Sequence, residues 1–159
     1  MAQEDSSDRR LPRDDVTYRL RIDLTGTEPP LWRQLEVASD LFLDEFHWII
    51  QVAFGWENCH LHQFTAGRGR NTKHYLCSYL ADDGADGIPE EEIRLDEVLV
   101  RRGDKLSYEY DFGDGWQHTI KLEATIPQAG TEPVALCVAG DVRHRRDQRD
   151  AGQPDQRAR

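Results

Sequence analysis

Cysteine is scarce in this chain. Cys59, Cys77 and Cys137 are an odd set of three with no CxxC pair. That excludes a disulfide framework as the organising device, and reduced thiols fit a cytoplasmic protein. Long apolar runs are missing as well. The longest, Val134 to Ala139, falls far short of the ~20 residues a membrane-crossing helix needs. Met1 to Asp15 is mostly Asp, Glu, Arg and Ser and offers no apolar signal segment. The expectation is a protein with no membrane partner. Positive charge is in deficit: 20 Lys and Arg face 30 Asp and Glu, a net charge of −10. An acidic body repels phosphate backbones, so direct nucleic-acid binding is disfavoured. Arg68, Arg70 and Lys73 are the one basic cluster in the body, and a solvated hairpin tip accounts for them.

Complete catalytic motifs are also missing. There is no GxSxG, HExxH or HxxxH, and no Gly-rich phosphate loop. Asp111-Phe112-Gly113 has the letters of a kinase motif without a kinase's other parts. Asp82, Asp86 and Gly87 fit three positions of a calcium loop, but Gly84 fails the third position and Ile93 stands where the bidentate Glu belongs. Residues 82–92 therefore read as an acidic loop. Cys59 precedes His60 directly, and neighbours on a strand point to opposite faces.

What is present is a chain of 159 residues, 38% hydrophobic and 31% charged, the size of one domain with one core. Residues 1–14 read as a disordered leader, 15–140 as the domain and 141–159 as a disordered charged tail. Val16, Tyr18, Leu20, Ile22 and Leu24 alternate with polar residues, a strand with one buried face. Leu31, Leu35 and Val37 continue the pattern after a Gly- and Pro-containing turn, which makes a hairpin. Phe46, Ile49, Ile50, Ala53 and Phe54 follow helical spacing, with Asp40 as the cap and Gly55 as the stop. Residues 60–65 read as extended, 73–79 as a strand and 93–100 as a short helix. Leu106, Tyr108, Tyr110 and Phe112, then Trp116, His118, Ile120 and Leu122, alternate on either side of Gly113-Asp114-Gly115 and predict a second hairpin. By periodicity Trp32, Trp48 and Trp116 are core candidates. The order predicts an α+β fold, a mostly antiparallel sheet built from hairpins with one main helix packed on it. The hairpin–helix–strand opening also leaves a β-grasp-like arrangement open.

Five blocks in fixed order carry a resemblance: Pro30-Leu31-Trp32-Arg33, Phe46-His47, Phe54-Gly55-Trp56, His60-Leu61-His62-Gln63-Phe64, and the run from Tyr108 to His118 containing Asp111-Phe112-Gly113-Asp114-Gly115-Trp116. Over residues 16–140 the chain resembles the plasmid pRiA4b ORF-3-like family. The resemblance implies a compact α+β domain found in bacteria and mobile elements, without an established activity. Some members carry resolvase or repressor labels, and some look fused to a DNA-binding domain. Family members usually continue past the position of Cys137 into a second Cys-Pro-Pro and an acidic Gly-Gly segment. Here Asp141-Val142-Arg143-His144-Arg145-Arg146 stands instead, and the last nineteen residues hold six Arg and four Asp. A solvated lineage-specific tail and a shifted reading frame both remain open for that segment.

The candidate ligand-binding residues are Trp56, His60, His62, Asp111, Asp114 and His118. His60 and His62 are two apart on an extended segment, which sends both to one face. His118 lies on another strand, near the Asp114 turn. Imidazoles and carboxylates gathered from separate elements can hold a divalent metal or exchange protons near neutral pH. Against this, the histidines can be core residues bonded to backbone or Tyr groups, Asp111 and Asp114 can order the Gly turn, and Trp56 can be a packing residue. The leading expectation is a non-enzymatic binding or regulatory module for a small ligand or protein partner, with no required cofactor. The alternative is a metal-dependent hydrolase or nuclease using His60, His62, Asp114 and His118.

Overall fold

Strict alternation makes the first two strands of the computed structural model, which describes residues 16–127 and 135–140. The leader and the charged tail lie outside the described residues. β1 (Val16–Leu24) buries Tyr18, Leu20, Ile22 and Leu24 and leaves Arg19, Arg21 and Asp23 half-buried. β2 (Leu31–Ala38) buries Leu31, Leu35 and Val37 and pairs antiparallel with β1 from Leu24–Leu31 to Thr17–Ala38. Arg33 falls on the same buried phase. Its Nε donates to the Ala53 carbonyl at 3.1 Å, satisfying an otherwise orphaned acceptor near a helix C-terminus with a charge of favourable sign.

That helix is α1 (Leu43–Phe54). Its buried stripe is Leu43, Phe46, His47, Ile50, Gln51 and Phe54, the i, i+3, i+4, i+7 pattern of a helix lying on a core. The cap differs from the predicted Asp40. The chain enters through Phe42, whose N–H is bound by the Glu45 side chain at 3.2 Å. Phe42 is fixed instead by an antiparallel bridge to Arg94. Gly55 ends the helix at φ 71°, and the Trp56 N–H reaches back to the Gln51 carbonyl at 2.9 Å.

The remaining elements are β3 (His62–Ala66), β4 (Lys73–Leu76), α2 (Ser78–Asp82), β5 (Ile88–Pro89), α3 (Leu95–Val98), β6 (Lys105–Tyr110), β7 (Trp116–Pro127) and β8 (Ala135–Gly140). They complete one eight-stranded sheet in the order β5-β4-β3-β6-β7-β1-β2-β8. The sheet is mostly antiparallel, with α1 as the main helix. It is not built from hairpins alone. β1 pairs with β7, β2 with β8 and β3 with β6 across long separations, and β4–β5 is parallel. β1 is thus antiparallel to both of its neighbours. The strand predicted over 73–79 stops at Leu76, and residues 78–82 turn into α2. The predicted acidic loop contains β5 and a 3₁₀ turn, Glu90–Glu92.

The core gathers α1, the buried faces of β1 and β2, Phe64, and the β6–β7 hairpin residues Leu106, Tyr108, Tyr110, Ile120 and Leu122. Three aromatics predicted to be inside lie outside the core. Trp32 falls on the half-buried phase of β2, with the Arg21 guanidinium 4.2 Å over its ring. Phe112 lies beyond the end of β6, and Trp48 sits on the flank of α1 with 57% of its surface exposed. Residues 135–139 of the long apolar run belong to β8, where Leu136 and Val138 stay exposed. Among the described residues no helix is long and apolar enough to cross a membrane.

Candidate functional site

Two polar residues interrupt the buried stripe of α1. His47 and Gln51, four apart, are 3% and 2% exposed, so burial requires that their polar atoms be paired. They are paired in a closed ring whose every donor can be assigned. The Asn58 backbone N–H donates to Gln51 Oε1 at 2.9 Å, which leaves Gln51 Nε2 to donate to Tyr108 Oη at 2.9 Å. The Tyr108 hydroxyl then donates to His47 Nδ1 at 2.7 Å. His47 is left with its proton on Nε2, and that N–H donates to Asn58 Oδ1 at 2.7 Å. The ring therefore requires a neutral His47. Burial, together with the nearby His62, agrees by holding its pKa down at about 4. Asn58 closes the ring from a left-handed backbone, φ 50°, which asparagine tolerates better than most residues.

His62 lies flat against His47, ring centroids 3.5 Å apart and planes within 6°. Its Nε2 meets both carboxyl oxygens of Glu90, at 2.8 and 3.0 Å. The side chains of this pair are 8% and 6% exposed. Burial pushes the Glu90 carboxyl up to about 8 and holds the His62 imidazole down at about 4. The pair is thus electrically neutral at pH 7. Glu90 reaches this place by register. The Leu76–Pro89 pairing of β4 with β5 fixes one side of the 3₁₀ turn, and the Phe42–Arg94 bridge fixes the other.

The floor of an open cleft of about 510 Å³ lies beside this cluster, lined by residues 58–62 and 77–79. Asn58 and His62 belong to both the buried cluster and the lining. Among the described residues, neither His62 Nδ1 nor Asn58 Nδ2 has a hydrogen-bond partner. A buried histidine that is bound on one nitrogen and also lines a cleft is arranged as a recognition group. A second depression between α1 and β8, lined by Trp48, Val52 and Leu136, is apolar and remote in character from this chemistry.

The other sequence candidates fall into two further places. His118, 1% exposed, accepts the Trp56 indole N–H on Nε2 at 3.1 Å. Its Nδ1–H lies 3.0 and 3.1 Å from the carbonyls of Trp116 and Tyr108. Both nitrogens are used, and burial holds the ring neutral with a pKa of about 4. Trp56 packs on Tyr110 and Trp116, centroids 5.5 and 5.1 Å away. His60 precedes β3 and is half-exposed, with Nε2 3.5 Å from Asp111 Oδ2. Strand alternation thus does not apply to His60 and His62, since only His62 is in the strand. Asp111 sits at φ 61°, and its Oδ1 accepts the N–H groups of Gly113 and Asp114 at 3.2 and 3.4 Å, the turn-ordering role open to an Asp there. Asp114 is half-buried in the same turn. Among the described residues no three His, Cys, Asp or Glu side chains converge to hold a metal ion.

The sequence of residues 16–153 matches the family described as plasmid pRiA4b ORF-3-like protein. The chain belongs to the plasmid pRiA4b ORF-3-like family. It is 35% identical over 134 residues to uncharacterized protein y4hQ of Sinorhizobium fredii (strain NBRC 101917 / NGR234), a match covering 77% of this chain and 61% of that protein. The chain thus spans about three-fifths of that relative's length. Among solved structures it is similar to a protein of unknown function, MM3350, from Methanosarcina mazei Go1. That likeness has a TM-score of 0.71 at 26% identity and covers 80% of this chain and 71% of that one.

Within this pRiA4b ORF-3-like domain, sequence reasoning selected His62 and missed Gln51, Asn58, Glu90 and Tyr108. For Gln51 a signal existed, because His47 and Gln51 share the helix phase of Leu43, Ile50 and Phe54. A polar pair at i, i+4 on an apolar stripe asks for buried partners. Glu90 had no signal: it is the first of three consecutive glutamates.

Proposed function

We infer that this domain is a non-enzymatic binding module whose ligand is a small polar molecule seated in the cleft between residues 58–62 and 77–79. One observation carries this: the buried His62 ring is held on Nε2 by Glu90 and lines the cleft with no partner on Nδ1. Taking a carboxyl and two imidazoles out of water is expensive, and apolar residues of similar volume commonly serve stability as well or better. A site that buries such groups and brings one of them, His62, to the lining of a cleft is therefore a candidate for recognition. The imidazoles suit catalysis poorly. His47 and His118 have both nitrogens committed. All three buried imidazoles titrate near 4, far from the neutral value a general base needs.

A fragment screen by ¹H–¹⁵N correlation spectroscopy tests the assignment. The expected result is that binders shift the amide signals of residues 58–62 and 77–79 together with the His62 ring. Binders that map instead to the α1–β8 depression, or a screen of polar fragments without binders, would refute it.

A further inference from the structure

We propose that the cleft recognises the oxygen of a carbonyl, carboxamide or carboxylate group, with His62 Nδ1–H and Asn58 Nδ2–H as the two donors. This rests on the cleft being a ligand site and adds the chemical class of its ligand.

The assignment follows from proton counting. Two arrangements keep the His62–Glu90 pair neutral. In one, the carboxylic acid donates its O–H to Nε2, which must then carry a lone pair, so the ring hydrogen is on Nδ1. In the other, the carboxylate accepts an N–H from an imidazolium, which carries hydrogens on both nitrogens. Nδ1 is a donor in either case, so the conclusion does not depend on where the shared proton sits along the 2.8 Å contact. Asn58 is fixed with equal certainty. Its oxygen must accept from His47 Nε2–H, because His47 Nδ1 already accepts from Tyr108. The amide therefore faces away from the ring with its NH₂ group, and Asn58 lines the cleft. Two donors bordering one cleft ask for an acceptor. Phosphate polymers are disfavoured by the charge of −10, while a small carbonyl or carboxylate group is compatible with it.

The donor is also conditional. Facing the His62–Glu90 pair are His47 and Asp44 of α1, Tyr108 of β6, Glu91 of the same turn, and Cys77 and His60 at the cleft. When the pair loses a proton, the remaining hydrogen stays on Nε2 against the carboxylate. Nδ1 then becomes a lone pair in a negatively charged site. Acceptor ligands should be released as pH rises through about 8.

The probes are acetamide, acetate and methylammonium at millimolar concentration, read by amide and imidazole ¹H–¹⁵N spectra of the whole chain. The expected result is that acetamide or acetate shifts the cleft signals at pH 7 and loses its effect above pH 8, while methylammonium shifts nothing there. Response to acetate alone assigns a carboxylate; response to acetamide assigns a neutral carbonyl. Asn58→Asp keeps the oxygen that His47 needs and replaces the donor with a second oxygen, so it should weaken either probe by about tenfold or more. The double variant His62→Phe with Glu90→Leu removes donor and acid together without stranding a charge, and should abolish the response. Long-range imidazole spectra report the tautomer without any ligand, and a bare Nδ1 at pH 7 would overturn the proposal outright. If methylammonium alone shifts the cleft signals, the ligand class is wrong and the cleft remains a binding site. If none of the three probes shifts them, the acceptor class is wrong, and the broader fragment screen then decides whether the cleft binds at all.

Discussion

Stability of this domain should peak near pH 7 and fall on both sides, for two different reasons. His47, His62 and His118 are lowered from 6.5 to about 4 by burial. Between those values the unfolded chain binds protons that the folded chain does not, so stability rises with pH. Each such proton contributes about 1.4 kcal/mol per pH unit, so three give about 4 kcal/mol per unit near pH 5. Glu90 has the opposite sign. Burial raises it from 4.5 to about 8, so the folded chain holds a proton that the unfolded chain has lost. Its contribution is fully present below pH 4.5 and is lost as pH rises through about 8. Below pH 6.5 the three histidines outweigh it. Above about pH 7 the last of their titration no longer offsets Glu90, and stability falls by about 1 kcal/mol net by pH 9. Urea unfolding at half-unit steps from pH 4 to 9 measures the profile, with a constant m-value as the control for two-state behaviour. Glu90→Gln should abolish the alkaline decline and steepen the acid limb, which Glu90 opposes. A wild-type profile that is flat or rising between pH 7 and 9 would refute the argument, since it would mean that Glu90 is ionised in the folded protein.

The hydrogen-bond ring gives a second expectation. Tyr108→Phe keeps the ring packing but strands Gln51 Nε2 and His47 Nδ1, so it should cost about 3 kcal/mol, and adding Gln51→Met should cost less than the two single effects combined. Urea titration of the single and double variants checks both. Phe46→Ala should cost about 3–5 kcal/mol, because Phe46 is fully buried and stacks on Phe64 at 6.0 Å. A loss below about 1 kcal/mol would show that the buried stripe of α1 is misassigned. At Gly67, φ is 83° and a Cβ would meet the Asn71 carbonyl oxygen at 2.2 Å, so Gly67→Ala should lower the melting temperature, at a cost above about 1 kcal/mol.

How far the fold could be read from the chain follows from how local each signal is. Alternation in β1, β2, β6 and β7 is a property of single strands, and the two hairpins followed from it. The pairings of β1 with β7 and of β2 with β8 join segments that share no local sequence cue, so the sheet order was not legible. Trp48 shows the limit of periodicity. It is next to His47 on α1, on the exposed flank that borders the depression toward β8, and its aromatic character says nothing about which flank that is. Phe112 continues the strand phase on paper, but Asp111 at φ 61° has already left the strand.

The site is divided in the same way. His62 drew attention because it is a histidine two residues from another, yet that partnership does not exist in the fold: His60 stays half-exposed beside Asp111 while His62 turns inward to Glu90. What sets His62 apart is the position of β3, which starts at His62 and places it opposite Tyr110 on the face covered by α1. Glu90, Glu91 and Glu92 are chemically identical, and one of them becomes a buried acid only because two distant pairings, Leu76–Pro89 and Phe42–Arg94, bracket the turn that carries them. A one-residue shift in that register that presented Pro89 to His62 would leave a buried imidazole without its partner, which would cost more than an ordinary lost hydrogen bond. The recognition chemistry proposed for the cleft is therefore a consequence of sheet register. It is encoded in the apolar residues that fix β4, β5 and the entry to α1, and not in any motif of acids and histidines.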